Sequence, residues 1–359
     1  MLAPATAATL ADRYGWKPVF YVPPTRHVDP LMMQLQGATG GTVPNFTIKV
    51  KSALTKTTYI VNSVGSDPHK KGSTTVQYVP LALRVHFSDG TVLDPTKPGC
   101  NDTQSVVKRF YNSPLFNNVP LTSNGVNVGT TQVIDGFQRA EYWKYTKGSN
   151  YHLLLSPSVK KPIVVDITAP SGSLLVAGGC SGNNHDLGII NPNAWDSIVI
   201  GLANKYAKTT QLPLAMAYNV VLGYSSSQCC IIGYHSGYSR SGGTQTYAVG
   251  AYTDPGIFSP GVQDIHAWTH EIGEWANDPF VNNATPAWGH VGQVSGCQNN
   301  FEVGDPLTGT PFIVNYKGFT YHPQELAFIS WFYRTSTDWG TGGKYSFEGT
   351  FTSTQPLCT

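Results

Sequence analysis

Charged side chains are scarce in this chain of 359 residues, since Asp, Glu, Lys and Arg together make up 12% of it. Soluble domains usually carry about 25%. The formal net charge is only +2, and the basic residues are scattered along the chain. We therefore expect no nucleic-acid partner, because such a partner requires a concentrated basic surface. A surface solvated by hydroxyls and amides instead of charges is common in extracellular proteins.

Long apolar runs are also missing. No stretch approaches the roughly 18 continuous apolar residues of a membrane-spanning helix, so we expect no membrane insertion. The first residues, Met1–Ala8, lack the basic start and apolar centre of a signal peptide. We expect a secreted protein whose signal segment would precede residue 1.

The chain has no C-x-x-C pair, which argues against a zinc site built from thiolates. Its cysteines are Cys100, Cys180, Cys229, Cys230, Cys297 and Cys358. An even number in a chain rich in Gly and Tyr suggests disulfides and an oxidising compartment. A bond between the neighbours Cys229 and Cys230 would close a strained ring. We therefore expect these two cysteines to form separate bridges.

The order of apolar patterns predicts an α+β fold with a β-rich N-terminal half. Residues 1–45 read as an extended arm, 46–169 mainly as strands, and 170–359 as a mixed sheet with helices, all of which can pack as one domain. The predicted strands are 46–51, 74–79, 81–87, 161–167, 214–222, 229–235 and 244–252. The predicted helices are 104–111, 135–143, 194–208, 262–277 and 323–334.

Glutamate is scarcer than aspartate in this chain, because only six of the 21 acidic residues are glutamate. Two of them form the motif His270-Glu271-x-x-Glu274 inside the predicted helix 262–277. About 0.003 such motifs are expected by chance from the numbers of His and Glu. The helix has a clear stop at Asn277-Asp278-Pro279.

Helical spacing gives this motif a chemical meaning. Residues i and i+4 share one helix face, so His270 and Glu274 can bind the same metal ion. Glu271 is rotated by about 100° and can act as general base towards a water molecule that the metal activates. Zinc accepts imidazole and carboxylate ligands, and its catalytic sites use three protein ligands. We therefore expect one Zn²⁺ per chain, with Ca²⁺ as the alternative, and a metal-dependent hydrolase.

The third ligand must come from another segment. Glu302 and Asp305 form an acidic pair with apolar neighbours, and Glu302 follows Glu274 by 28 residues. We favour Glu302 as ligand, with Asp305 either as a ligand or as the hydrogen-bond partner of His270. His266, one turn before His270, is the other possible ligand, although a core or capping role is favoured.

Several other polar residues are expected to be structural or exposed. They are His290, His322, Tyr234, His235 and Tyr238. Tyr234 and His235 end the predicted strand 229–235, and Tyr238 follows it. The alternative role of these three residues is as hydrogen-bond donors to a transition state.

The residues Trp268–Phe280, followed by Glu302-Val303-Gly304-Asp305, resemble secreted bacterial zincin-like proteins with an H-E-x-x-E signature. They are more distantly similar to the phosphate-induced, Exordium-like proteins of plant cell walls. Residues 112–116 and 135–143 extend the bacterial likeness. The resemblance implies a zincin-like C-terminal half and an endopeptidase that acts on polypeptides. Glu274 stands where well-studied zincins have His, and a more anionic site shifts preference towards other divalent metals.

Two other functions fit the same sequence. One is a non-catalytic extracellular protein that binds cell walls or carbohydrate and holds a structural cation. The other is a hydrolase that acts on glycans or esters through the same acidic residues. Metal-dependent turnover separates the endopeptidase from both.

Overall fold

A computed structural model describes residues 8–21, 41–178, 186–356 and residue 358. Within these residues the helices are α1 (Leu10–Tyr14), α2 (Val106–Tyr111), α3 (Val133–Glu141), α4 (Trp143–Thr146), α5 (Pro192–Tyr206), α6 (His266–Asn277) and α7 (Ile329–Phe332). Short 3₁₀ turns lie at Pro68–Lys70, Asp305–Leu307, Thr337–Trp339 and Thr341–Gly343.

The described residues contain strands in both halves of the chain, numbered in sequence order. The first half contains β1 (Val19–Phe20), β2 (Asn45–Lys51), β3 (Thr58–Val64), β4 (Ser73–His86), β5 (Val92–Leu93), β6 (Val119–Ser123), β7 (Val126–Thr131), β8 (His152–Pro157), β9 (Ile163–Thr168) and β10 (Leu174–Val176). The second half contains β11 (Leu187–Ile190), β12 (Leu212–Tyr218), β13 (Val220–Ser225), β14 (Gln228–Arg240), β15 (Gly243–Tyr252), β16 (Ala284–Val291), β17 (Val294–Asn300), β18 (Val314–Tyr316) and β19 (Phe319–Tyr321).

One large mixed sheet organises the fold. Its main path runs β10-β11-β13-β14-β15-β12-β4-β5, while β1 pairs with β14, and β8 and β9 pair with β4. The β12–β15 and β12–β4 pairs are parallel, and β14–β15 is antiparallel. The predicted α+β class with a mixed sheet is therefore confirmed. Strands from all three predicted segments take part in this sheet, although residues 1–7 and 22–40 of the predicted arm lie outside the described residues.

The predicted strand 214–222 is wrong in one respect, because the chain turns at Asn219. The residue adopts φ 50°, in the left-handed region that Asn tolerates better than most residues. Its side-chain amide donates to Asp254 at 2.9 Å and its side-chain oxygen accepts from the backbone N–H of Asp254 at 2.9 Å. These bonds fix the turn and separate β12 from β13.

Helix α6 carries the His270-Glu271-x-x-Glu274 motif and is enclosed by protein on all sides. All of its 12 residues are buried. Trp268 packs against Gly250 of β15 so closely that a Cβ at Gly250 would lie 2.8 Å from the indole ring. The helix begins at His266, later than the predicted residue 262, and ends at Asn277 as predicted. Because of this enclosure, a polar atom on α6 that has no partner inside the protein costs free energy.

The predicted helix 323–334 is mostly wrong, because only Ile329–Phe332 is helical. The preceding residues are held in loop and bridge hydrogen bonds: Glu325 N–H donates to Thr310 O, and Ala327 N–H donates to Val303 O, both at 2.8 Å. The apolar side chains of this stretch pack into the core without helical spacing. Gln324 is thereby placed beside the motif helix.

The cysteine arrangement differs from the predicted one. Cys229 and Cys230 are bonded to each other, across a cis peptide bond that holds their Cα atoms 3.0 Å apart. Cys297 is bonded to Cys358, and Cys100 is also disulfide-bonded. Cys180 lies outside the described residues. The helices of the described part include none long and apolar enough to cross a membrane.

Candidate metal centre

Two segments bring the predicted site residues together. His270 and Glu274 lie on one face of α6, with His270 Nε2 2.9 Å from Glu274 Oε1. The turn after β17 supplies Glu302 and Asp305, and Asp305 Oδ1 is 3.5 Å from His270 Nε2. Gly304, between them, donates its backbone N–H to Glu274 Oε1 at 3.1 Å. The acidic pair therefore lies directly against the helix motif.

His235 lies in the site with Glu274 and Glu302, whereas the sequence favoured a structural role for it. Its Nδ1 atom is 3.3 Å from Glu271 Oε2 and 3.6 Å from Glu274 Oε2. Its Nε2 atom faces the backbone oxygen of Asp278 at 3.1 Å, so Nε2 carries a proton and donates it. The remaining nitrogen, Nδ1, points at the carboxylates. A second-sphere carbonyl that fixes the imidazole tautomer in this way is typical of metal-binding histidines.

The strand period explains why His235 differs from its tyrosine neighbours. Alternate residues of β14 face opposite sides of the sheet. Tyr234 and Tyr238 point away from α6 and donate their hydroxyls to Asp196 at 3.1 Å and Asn204 at 2.9 Å. The structural role expected for the two tyrosines is confirmed. Of these three residues, only His235 faces the helix. The signal in the sequence was its odd position beside two even-numbered tyrosines, because alternate residues of a strand face opposite sides of the sheet.

Two overlapping groups of side chains can hold a cation. One consists of His270, Glu271 and Glu274, and the other of His235, Glu274 and Glu302. Within each group the possible ligand atoms lie within 4.8 Å of one another. Glu274 belongs to both groups, so it is the central ligand candidate. The imidazole and carboxylate donors fit Zn²⁺ and other divalent metals, and they do not by themselves select one of them.

The site is closed to solvent and rich in carboxyl groups. Glu271 and Glu302 are 0% exposed, as is His270. Three of their atoms have no hydrogen-bond partner, namely Glu271 Oε1, Glu302 Oε2 and His270 Nε2. The last is close to Glu274 but lacks hydrogen-bond geometry. Buried polar atoms without partners are costly, so a group of them at one place could hold a positively charged ligand.

The pKa values follow from burial and from this crowding of charges. Burial raises the pKa of Glu271 to about 7, although a hydrogen bond to His235 opposes the shift. Burial and the neighbouring Glu274 raise the pKa of Glu302 well above its usual range. Burial also acts on Glu274, but the charge of His270 and the hydrogen bond to His235 outweigh it and lower its pKa.

The pKa values of the two site histidines are raised, whereas burial alone lowers the pKa of a histidine. Burial lowers the pKa of His270, yet Glu274 and Asp305 outweigh it and raise the pKa to about 10. His235 is raised well above its usual pKa by Glu271 and Glu274 against the same burial. Without a metal, protons therefore supply the positive charge that the carboxylates require. A divalent cation can replace them.

Amide side chains support the edge of the site next to Asp305. Gln293 donates to Asp305 Oδ1 at 2.5 Å, and Gln298 donates to Oδ2 at 3.2 Å. Gln324 donates to Gly304 O at 2.8 Å, and its Nε2 lies 2.9 Å from His270 Nδ1. These bonds fix the turn that carries the acidic pair.

His266 and His322 belong to none of the groups that could hold a cation in the described residues, and His290 belongs only to one with Cys297 and Cys358, which are bonded to each other. His266 is buried, and burial lowers its pKa to about 3. His322 pairs with Asp264 at 2.6 Å. His290 is exposed at the end of β16. These positions agree with the structural or surface roles favoured for all three.

Gly304 gives a test of how tightly the acidic turn must approach the helix. A Cβ at this position would lie 2.6 Å from Cε1 of the His270 ring, while the backbone angles of the residue are ordinary for alanine. We expect Gly304→Ala to weaken the binding of a divalent metal by roughly ten-fold or more, because the turn must move away. The matched control is Gly201→Ala in α5, where the added methyl meets open space. Competition with a coloured chelator measures both, and equal affinities would contradict the prediction.

The chain was compared with protein-family models, curated proteins and solved structures, and none of them matches it. The zincin-like and Exordium-like resemblance therefore stays a prediction.

Proposed function

We propose that the protein is a metal-dependent hydrolase, and specifically an endopeptidase. The observation that carries this proposal is the buried convergence of His270, Glu271, Glu274 and Glu302, in which three polar atoms lack hydrogen-bond partners. A divalent cation supplies the missing charge and ligand contacts. The choice of polypeptide as substrate rests on the resemblance of the motif to secreted zincin-like proteins.

In this proposal His270, Glu274 and Glu302 hold the metal, which we expect to be Zn²⁺. Asp305 orients His270 and stands close enough to serve as an alternative ligand. His235 offers Nδ1 as a further donor, because its Nε2 is held by the carbonyl of Asp278. When bound, such a metal polarises a substrate carbonyl and makes water a stronger nucleophile near neutral pH.

Glu271 is the general base. Its Oε2 atom lies 3.3 Å from His235, while Oε1 has no partner and is free to accept a proton. A base works best when its pKa lies near the working pH, and burial raises the pKa of Glu271 to about 7. Gly233 makes room for this carboxyl, because a Cβ there would lie 2.7 Å from Oε1.

The disulfides indicate a protein that folds outside the cytoplasm. We extend this to a secreted enzyme that cleaves extracellular polypeptides. The extension is supported by the low proportion of charged residues.

Metal content tests the proposal most directly. Plasma mass spectrometry on protein purified without chelators or a His-tag is expected to find about one zinc per chain. Glu274→Ala should lose it, because Glu274 belongs to both ligand groups. Glu348→Gln, at an exposed glutamate, should keep it. Calcium alone, or no metal in the unmodified protein, would contradict the zinc hydrolase.

A non-catalytic protein with a structural cation is the second candidate, and the complete burial of the site favours it. His270, Glu271 and Glu302 are 0% exposed, which suits a cation that only stabilises the fold. This alternative predicts that chelation lowers the melting temperature while no polypeptide substrate is ever cleaved. Metal-dependent cleavage that requires Glu271 would exclude it.

A further inference from the structure

The first described segment, residues 8–21, is bound across the core of the fold. Leu10 and Ala11 donate their backbone N–H groups to Gly256 O and Ile257 O, each at 2.8 Å. The indole of Trp16 donates to Ser226 O at 2.6 Å. Leu10, Ala11 and Trp16 are each at most 7% exposed. The segment is thus held along its length, and its last residues reach the metal centre.

Phe20 covers the metal-binding histidine. Its ring stacks on His270 with 3.3 Å between ring centroids and 9° between planes. The side-chain amide of Gln293 forms hydrogen bonds with both main-chain polar groups of Phe20. Phe20 N–H donates to Gln293 Oε1 at 2.7 Å, and Gln293 Nε2 donates to Phe20 O at 3.2 Å. The same Nε2 donates to Asp305, so one amide connects the covering segment to the site.

The segment is also a strand of the sheet. β1 runs parallel to β14, with Val19 beside Ile231 and Phe20 beside Gly233. Tyr21 N–H donates to Gly233 O at 3.2 Å. β13 pairs with β14 only up to Ile231, which leaves the edge from Ile231 onwards to β1.

These contacts have the properties of a peptide-binding subsite. Main-chain bonds to a strand edge accept an extended chain of any sequence, and a side-chain pocket adds selectivity. The Gln293 amide bonds to the main-chain N–H and C=O of Phe20, which are groups that a residue with another side chain also offers. The side-chain contact that adds selectivity at Phe20 is its aromatic ring on His270. Gly233 leaves the face of the strand free for Glu271, because a larger residue there would collide with that carboxyl group.

We propose that the Ile231–Gly233 edge, Gln293 and the His270 ring form the subsite for an extended polypeptide with a large aromatic side chain. Residues Val19–Tyr21 occupy this subsite as an internal ligand that keeps the metal centre closed. The inference rests on the proposed function, from which it takes the polypeptide substrate and to which it adds aromatic selectivity and self-inhibition. It also explains why the catalytic groups are fully buried: a substrate must first displace β1.

Peptide binding to the full-length chain tests this without any turnover. A fluorescent peptide with the sequence of residues 8–21 is the probe, and anisotropy reports its binding. We expect Phe20→Ala protein to bind it at least about ten-fold more tightly than unmodified protein, whose own segment competes at high effective concentration. A peptide in which the phenylalanine is replaced by alanine should bind neither protein. Arg13→Ala, exposed in α1, is the matched control and should behave like the unmodified chain.

The rate of metal release is a second measurement that tests the same proposal. Removal of the Phe20 ring should let a coloured chelator extract zinc roughly ten-fold faster, because the closed state opens more often. Phe20→Leu keeps an apolar side chain and serves if Phe20→Ala fails to fold by thermal melting; it should give an intermediate change. Equal peptide binding by the variant and unmodified chains, or equal binding of both peptides, would overturn the subsite. If peptide binding follows the prediction and no substrate is cleaved, the subsite stands and only the hydrolase proposal fails.

Discussion

Glu271→Gln is expected to lower kcat by a factor on the order of 10² to 10⁴ while leaving the bound metal in place. Glutamine has nearly the same shape as glutamate, so packing against Gly233 and the contact with His235 can persist. It cannot accept a proton at neutral pH, and the free Oε1 atom of Glu271 is therefore the group that the substitution removes.

The measurement combines hydrolysis of a quenched fluorescent peptide library with metal analysis of the same samples. Glu348→Gln is the control, because it makes the same chemical change at an exposed site. Full activity of Glu271→Gln on every substrate that the unmodified protein cleaves would refute the base assignment. Loss of the metal together with activity would instead assign Glu271 as a ligand, as one of the two cation-binding groups allows.

Removal of the metal is expected to lower the melting temperature, and to do so more strongly as the pH rises. A ligand that binds only the folded state at a thousand times its dissociation constant stabilises it by about 4 kcal/mol. In the metal-free protein the pKa of Glu271 is raised to about 7 and that of Asp278 to about 6, with burial as the main cause. Glu302 is raised further for the same reason.

The sign of the pH effect follows from proton counting. Groups with raised pKa values bind more protons in the folded than in the unfolded state, so the stability they contribute is lost as pH increases through their folded pKa values. Between about pH 5 and 8 the raised carboxyls act in this direction, and His270, raised to about 10, adds to it above its unfolded pKa. Glu274 has a lowered pKa and acts only at lower pH.

Calorimetry on the zinc-loaded and metal-free protein across pH 5 to 8 checks this prediction. The bound cation replaces the protons, so the loaded protein lacks the loss of stability and the gap between the two melting temperatures should widen with pH. Glu274→Ala should show almost no gap at any pH, since it lacks the central ligand candidate. A gap that narrows between pH 5 and 8 would show that protons do not stand in for the metal.

The sequence alone determined the features that depend on neighbouring residues. Helical spacing placed His270, Glu271 and Glu274 on α6 and marked its end at Asn277, because i and i+4 positions share a face and the Asp278-Pro279 pair stops a helix. The scarcity of glutamate singled out Glu302 and Asp305, which the structure places against that helix. Alternating patterns predicted the α+β class and marked seven of the strands in the described residues, namely β2, β4, β9, β12, β13, β14 and β15.

Only the tertiary structure decided which distant groups meet this motif. His235, Gln293, Gln324 and Phe20 come from four other parts of the chain, and no local pattern links them to α6. Apolar spacing also predicted a helix at 323–334, but packing against the sheet and the acidic turn holds most of it in a non-helical path. The vicinal bond Cys229–Cys230 depends on backbone geometry that residue order does not specify. Spacing along one helix is set by its own backbone, whereas the closure of the site depends on contacts between segments that are remote in sequence.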